Sequence, residues 1–379
     1  MVGCDKSTTE VSSVDAASSA VAPQAQAAPL PDPDITKAIQ RHFQEERLLR
    51  SEHVQVAVKQ GIATISGSVT NLGAKKRALR VTQTIKGVRS VIDQVTVEPI
   101  VRTDDQITKD VVTALKDDPA TRAATVSATT KTGSVTLTGT VDSWQLKNLS
   151  DQIASEVPGI KVLENSILVH YKMDRPDDEI ATDVKSRLAN DLWLDGNVIT
   201  ATVTSHNVHL KGVVGSVAQE WRAISDAWVA GTYSVDEAGI VIDWAAQNDQ
   251  RRLTDDPVRS DAQVTQAIGD AFKFDARLKV FVPQVKVSDG AVVLTGTVDT
   301  AKARQAAAAD ARDTIGAWNV RNEVLVAPSG SPSDPDIERD VKRILMNDLP
   351  GNNIQVTSLK GKVTLRGTNA TSFERFDAI

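Results

Sequence analysis

The chain predicts an α+β fold repeated in tandem: small αββαβ domains, each a three-stranded sheet with two helices packed on one face. Three observations carry that prediction. A glycine-bearing strand pattern recurs five times, the recurrences lie 71 to 84 residues apart, and the same order of helical and strand periodicities surrounds each one. Such a period is too long for a solenoid unit and suits a compact domain copied along the chain.

The clearest copy is Val135-Thr136-Leu137-Thr138-Gly139-Thr140-Val141. Apolar and polar residues alternate, as in a strand with one buried face. Val135, Leu137, Gly139 and Val141 share the apolar face, and the threonines share the other. A glycine on the apolar face predicts close approach of another element, expected to be a helix crossing the sheet. The pattern returns at Ala63–Val69, Val208–Val214, Val292–Val298 and Val363–Asn369, with Gly67, Gly212, Gly296 and Gly367 in the place of Gly139.

The elements follow in order. Residues 1–31 are rich in Ala, Ser, Gln, Pro and Thr, which cannot bury enough apolar surface to fold, and read as a flexible tether. The first domain, 32–99, opens with Asp34 as a helix cap, followed by Ile35, Ile39 and Phe43 on one face. A strand at Val54–Val58, a turn at Gln60-Gly61 and the glycine strand come next. A second helix starts at Asn71 and carries Ala74, Ala78, Val81 and Ile85; Gly87 ends it, and a strand from Val91 to Val97 closes the unit.

The second domain, 103–172, the third, 175–245, and the fourth, 260–328, repeat this order, with first helices beginning at Asp105, Asp178 and Asp261. Gly159 and Gly316 repeat the helix-ending Gly87, and Gly231 is their counterpart in the third. The third domain diverges: Trp193, Trp221, Trp228 and Trp244 gather there as expected core residues, and its last connection reads as longer. A polar linker, 246–259, predicts a hinge. The fifth copy, 333–379, starts its helix at Asp336 and stops before a second helix and third strand, so the reading expects a fragment of a longer chain or an end-capping half-unit.

Aromatic residues make up 4% of the chain, so the small cores must be built from Val, Ile, Leu and Ala. A net charge of −6 does not point to nucleic acid. No apolar run reaches the roughly 20 residues of a membrane-spanning helix. One cysteine, Cys4, excludes an internal disulfide. Met1-Val2-Gly3-Cys4-Asp5 resembles the end of a bacterial lipoprotein signal, in which a small residue precedes a cysteine that becomes lipidated; the basic and apolar regions expected before it are missing.

The recurring set Asp-x-x-Ile-x-x-x-Val, then Val-Thr-Leu-Thr-Gly-Thr-Val, then Gly-Val/Ile-x-x-Val resembles the BON domain, a family named after osmotically induced and nodulation proteins of bacteria. The match is tightest in the second unit, good in the first and fourth, looser in the third and truncated in the fifth. The resemblance implies a non-catalytic protein of the periplasm or envelope that binds phospholipid membranes or envelope proteins, supporting envelope integrity or stress tolerance. It also implies frequent lipidation, which adds to the reading of Cys4, and a lipid anchor in the inner or outer membrane. A periplasmic chaperone or assembly factor that binds polypeptides at sheet edges, or the targeting arm of a longer protein, are the alternatives.

No side-chain constellation points to catalysis. The histidines occupy unrelated repeat positions, and His206 and His209 fall on opposite faces of a strand start rather than as paired ligands, so neither metal nor another cofactor is expected. Asp117-Asp118 and Asp255-Asp256 read as solvated turns. The uneven feature is charge. Eleven lysines and arginines against six acidic residues leave 33–98 net positive by five, and Lys75, Lys76, Arg77 and Arg80 share one helix. That helix is expected either to meet anionic headgroups or to be a solvated face. Trp144 either inserts into an interface or packs across its own helix–sheet seam.

Overall fold

In the computed structural model, residues 30–46, 49–50, 52–194, 199–243, 259–327, 333–348 and 353–368 are described. Residues 1–29 of the tether with Cys4, Trp244, all of the 246–259 linker except Arg259, and the tail of the fifth unit lie outside them.

Unit 1 consists of α1 (Asp32–Glu45), β1 (His53–Lys59), β2 (Ile62–Val69), α2 (Leu72–Thr84) and β3 (Ser90–Val97). Unit 2 repeats it with α3 (Asp104–Asp117), β4 (Thr125–Lys131), β5 (Ser134–Val141), α4 (Trp144–Ser155), and a last strand broken into β6 (Val162–Asn165) and β7 (Leu168–Val169). Unit 3 comprises α5 (Asp177–Asn190), β8 (Ile199–Thr204), β9 (Asn207–Val214), α6 (Val217–Ala227) and β10 (Ser234–Ile242). Unit 4 has α7 (Asp261–Phe274), β11 (Gln284–Ser288), β12 (Ala291–Thr295), β13 (Thr297–Val298), α8 (Ala301–Arg312), β14 (Asn319–Asn322) and β15 (Leu325–Val326). In unit 5, α9 (Asp334–Asp348), β16 (Asn353–Leu359) and β17 (Lys362–Thr368) are described.

The glycine strand is central in each of the first four units. In unit 1, β2 pairs antiparallel with β1 and parallel with β3. Its inward residues Ala63, Ile65 and Val69 meet Ile35, Ile39 and Phe43 of α1 and Ala74, Ala78 and Val81 of α2, so both helices cover one sheet face. Burying one such aliphatic side chain stabilises by roughly 1.5–3 kcal/mol, which a 70-residue unit with few aromatics needs from many small contributions. The cores also reach across unit boundaries. Val217 of unit 3 joins the core of unit 1, while Leu72 of unit 1 and Ala276 of unit 4 join that of unit 2.

Three expectations change. The close neighbour of Gly139 is not a helix but the adjacent strand: a Cβ there would lie 2.0 Å from the Thr125 carbonyl oxygen, and φ is +130°. Gly67 stands in the same way over His53. First helices begin earlier than Asp34, Asp105, Asp178 and Asp336 suggest; Pro31 and Pro176 precede the first and third without a side-chain cap, and Thr103 caps the second. Thr103 and Ser260 close capping boxes with Gln106 and Gln263. In unit 3 the last connection is of ordinary length; the irregularity is a bulge in β10 between Asp236 and Gly239.

Candidate functional site: turn ends and an inter-unit seam

The sequence placed a free basic face on α2, and the side chains are arranged otherwise. Lys75 bonds the Val95 carbonyl and pairs with Asp93 at 2.9 Å. Lys76 pairs with Asp151 of unit 2, and Arg77 forms a two-pronged pair with Glu46, whose carboxyl it holds below its usual range. Arg80 stays exposed, although packing around its stem and the Arg77 cation depress its guanidinium. Three of the four cations therefore already have internal carboxylate partners. Trp144 does not pack across its own seam but stacks on Trp228 of unit 3, with centroids 5.5 Å apart and planes 4° from parallel.

The three described tryptophans of unit 3 depart from the core expectation as well. Trp193 and Trp228 are half-buried at contacts between units, and Trp221 is 56% exposed. None belongs to the core cluster of its unit. His206 and His209 make separate contacts, to Asp174 and Asp236, and among the described residues no group of His, Cys, Asp and Glu could hold a metal ion.

What the units share is built at their turn ends. The hairpin turn of unit 1, Gln60-Gly61, has both residues at positive φ, 53° and 73°, the type I′ geometry that matches strand twist. Both turn N–H groups donate to the carboxylate of Asp32, the first residue of α1, at 2.8 and 2.9 Å. The same clamp recurs from Asp104 to Thr132 and Gly133, from Asp177 to Ser205 and His206, from Asp261 to Asp289 and Gly290, and from Asp334 to Lys360 and Gly361. Each such Asp sits at a helix N-terminus, where negative charge is favoured, and those N–H bonds hold Asp177 and Asp334 below the usual carboxylate range.

Over each turn lies the residue two after the helix-ending glycine. Arg89, Lys161, Tyr233 and Trp318 donate their backbone N–H to Gly61, Gly133, His206 and Gly290 respectively. All four side chains are exposed, Tyr233 at 60% and Trp318 at 82%. Units 1 and 2 thus present a cation at this tip, and units 3 and 4 an aromatic ring. The sequence reading passed over this position. Counting two residues on from each helix-ending glycine would have found it.

Units 2, 3 and 4 converge on a cavity of about 390 Å³ bordered by α4, α5, α6, α7 and α8. Its wall is stitched across units. Leu192 donates its N–H to the Asp313 carbonyl and Ile315 to that of Asn190, a one-bridge sheet joining units 3 and 4. Arg222 pairs with Asp191 of its own unit and Asp313 of unit 4, and the Trp193 indole donates to Asp313 at 3.0 Å. Arg187 bonds Asp226 and lies over the Phe274 ring. Unit 4 reaches unit 2 through Lys279 to Ser143 and Lys302 to Glu156. Burial pushes Asp275 up, and pushes Asp191 up to about 7 against the pull of Arg222.

The family model that matches this architecture is the BON domain, over residues 31–99, 103–170, 176–242, 260–328 and 333–379. The chain belongs to the BON domain family. Its BON units resemble osmotically-inducible protein Y of Escherichia coli K12, with 28% identity over 143 residues, which covers 36% of this chain and 71% of that protein. Two solved structures of CdsD, a structural protein of the type III secretion system of Chlamydia trachomatis, are also similar. The C-terminal domain aligns over 56% of this chain and 100% of its own at 15% identity, the second over 54% and 90% at 17%; both have a TM-score of 0.16. Among the described residues, no helix is long and apolar enough to cross a membrane.

Proposed function

We propose that this chain is a non-catalytic protein of the bacterial envelope, periplasmic and anchored through lipidated Cys4, whose BON units bind anionic phospholipid surfaces and support tolerance of osmotic stress. The likeness to an osmotically inducible protein supports the stress role. The observation that carries the lipid reading is the shared tip position, where Arg89, Lys161, Tyr233 and Trp318 stand exposed on rigid, Asp-clamped turns. Cations attract acidic headgroups, each contributing about 1 kcal/mol near the surface. Tyr and Trp suit the boundary between headgroups and acyl chains. Arg80 can add to this attraction directly, whereas Lys75, Lys76 and Arg77 would first have to leave Asp93, Asp151 and Glu46.

The test is co-sedimentation of the chain carrying Cys4→Ser with neutral and anionic vesicles at low and moderate salt. Binding to anionic vesicles that weakens with salt is expected. Changing Arg89 and Lys161 together to Gln should lower the partition coefficient by roughly tenfold or more, following the same per-charge contribution. Absence of sedimentation with either vesicle would sink the lipid reading and leave envelope proteins as the partners.

A further inference from the structure

We infer that the seam joining units 2, 3 and 4 is a proton-operated latch, with Asp310 as the group that takes the proton: the units dock tightly when it is neutral and loosen when it ionises. Asp310 lies on α8 and borders the inter-unit cavity. Its Oδ2 is sealed from solvent and receives no hydrogen bond. Asp226 has an equally sealed, donorless Oδ2, but its other oxygen, like the remaining seam carboxylates, is held by a donor. Asp313 accepts from Arg222 and Trp193, Asp191 from Arg222 and the Trp193 N–H, and Asp226 from Arg187 through one of its oxygens. A sealed carboxyl oxygen with no donor is costly when charged and comfortable when it carries its own proton.

The surroundings favour the neutral form. From unit 3, α5 and its end bring Asp183, Arg187 and Asp191, and α6 brings Arg222 and Asp226. From unit 4, α7 and the turn after it bring Asp270, Lys273, Asp275 and Arg277, while the C-cap of α8 adds Asp313. The residues that α4 of unit 2 contributes, among them Gln145, Asn148 and Gln152, carry no charge. Carboxylates, Asp310 included, outnumber cations by seven to four; Arg187 and Arg222 pair with Asp226, Asp191 and Asp313, and their remaining pull on Asp310 opposes its rise without cancelling it. Burial first, then the like charge of Asp275, push Asp310 well above the usual carboxylate range.

The sign follows. A carboxyl whose folded-state value is raised lends stability that is complete below the unfolded value of about 4 and is lost as pH rises through the raised one. Acidification should therefore close the seam, the reverse of ordinary acid unfolding. The structure places this effect at the contact between units, so the individual BON cores should not feel it.

Amide hydrogen exchange of the full chain between about pH 5 and pH 8.5, corrected for the intrinsic rate, reads the latch directly. In the wild type, exchange over 186–194 and 310–318 should rise about tenfold or more across that range, while α1 of unit 1 stays level. Asp310→Asn, neutral at every pH, should hold the seam more tightly closed and remove most of that rise, leaving only the smaller change that Asp191 contributes near pH 7. A wild-type seam that does not change with pH, or an Asp310→Asn seam that opens as the wild type does, overturns the latch. Should that variant fail to fold, Asp275→Asn provides the second reading. Removing the facing charge should move the opening to lower pH, and an unmoved midpoint would equally reject Asp310 as the proton carrier.

Discussion

Asp177 and Asp310 are the same residue type under opposite conditions. Asp177 lies half-buried at the start of α5 and accepts the two N–H groups of a hairpin turn. Its charge is the useful form, and its proton affinity is lowered. Asp310 lies against neighbouring units with a sealed oxygen and no donor, so its charge is the costly form. The difference teaches that burial and the supply of donors together decide whether an aspartate holds structure through its charge or without it. Turn clamps hold each unit together internally. Seam aspartates govern how units sit on one another.

The contrast can be broken from either side, and the seam should give first. Arg222→Gln leaves Asp191 and Asp313 without their shared cation, and should destabilise the assembly of units 3 and 4 by about 3 kcal/mol, at the low end for a buried pair because Arg222 keeps some solvent contact. Chemical denaturation monitored at both units reads this. Asp104→Ala removes both acceptors from the turn at Thr132 and Gly133, and is expected to cost about 2–3 kcal/mol, confined to unit 2. Asp104→Asn, which keeps one oxygen acceptor, should lose less. Trp228→Ala strips Trp144 of its stacking partner at a cost of about 1 kcal/mol beyond the lost burial, and should loosen unit 2 from unit 3 without melting either.

The smallest effect at any single pH, and the most diagnostic across a range, is the shape of the stability curve. Clamp carboxylates with depressed values, Asp177 and Asp334, contribute fully above the unfolded value of about 4, and that contribution is lost as pH falls through their own values. Seam carboxylates do the reverse, losing their contribution as pH rises, with Asp191 passing through about 7. Scanning calorimetry should show a melting temperature that peaks in the mildly acidic range and declines on both sides. A plateau extending through neutral pH would mean that the seam aspartates are ionised without cost.

Much of the fold was legible in the sequence because it is written in short-range periodicity. Alternation marks β2 and β5, spacing of Ile35, Ile39 and Phe43 marks the buried face of α1, and Asn71 caps α2. The glycine in the strand was visible, but its cause was not. A crossing helix and a neighbouring carbonyl both forbid a Cβ, and pattern alone does not separate them. The seam was hidden for another reason. Asp191, Arg222, Asp275 and Asp310 come from different elements of two units, and each reads locally as an ordinary polar position on a helix or turn. The clamp fell between these cases: an Asp stands 29 residues before Gly61, Gly133 and Gly290, a regularity present in the chain but masked by the second aspartate at Asp34 and Asp105.

That spacing bears on how five similar copies avoid confusion during synthesis. A contact closed over about 30 residues is cheap in chain entropy, so the helix–hairpin half of each unit can form soon after it emerges, before its parallel last strand exists. Strands such as β2, β5, β9 and β12 offer nearly interchangeable edges, and pairing with the wrong copy is the characteristic failure of tandem repeats. By locking each hairpin to the helix that immediately precedes it, the aspartate gives every copy its own identity before a neighbour is available to exchange with.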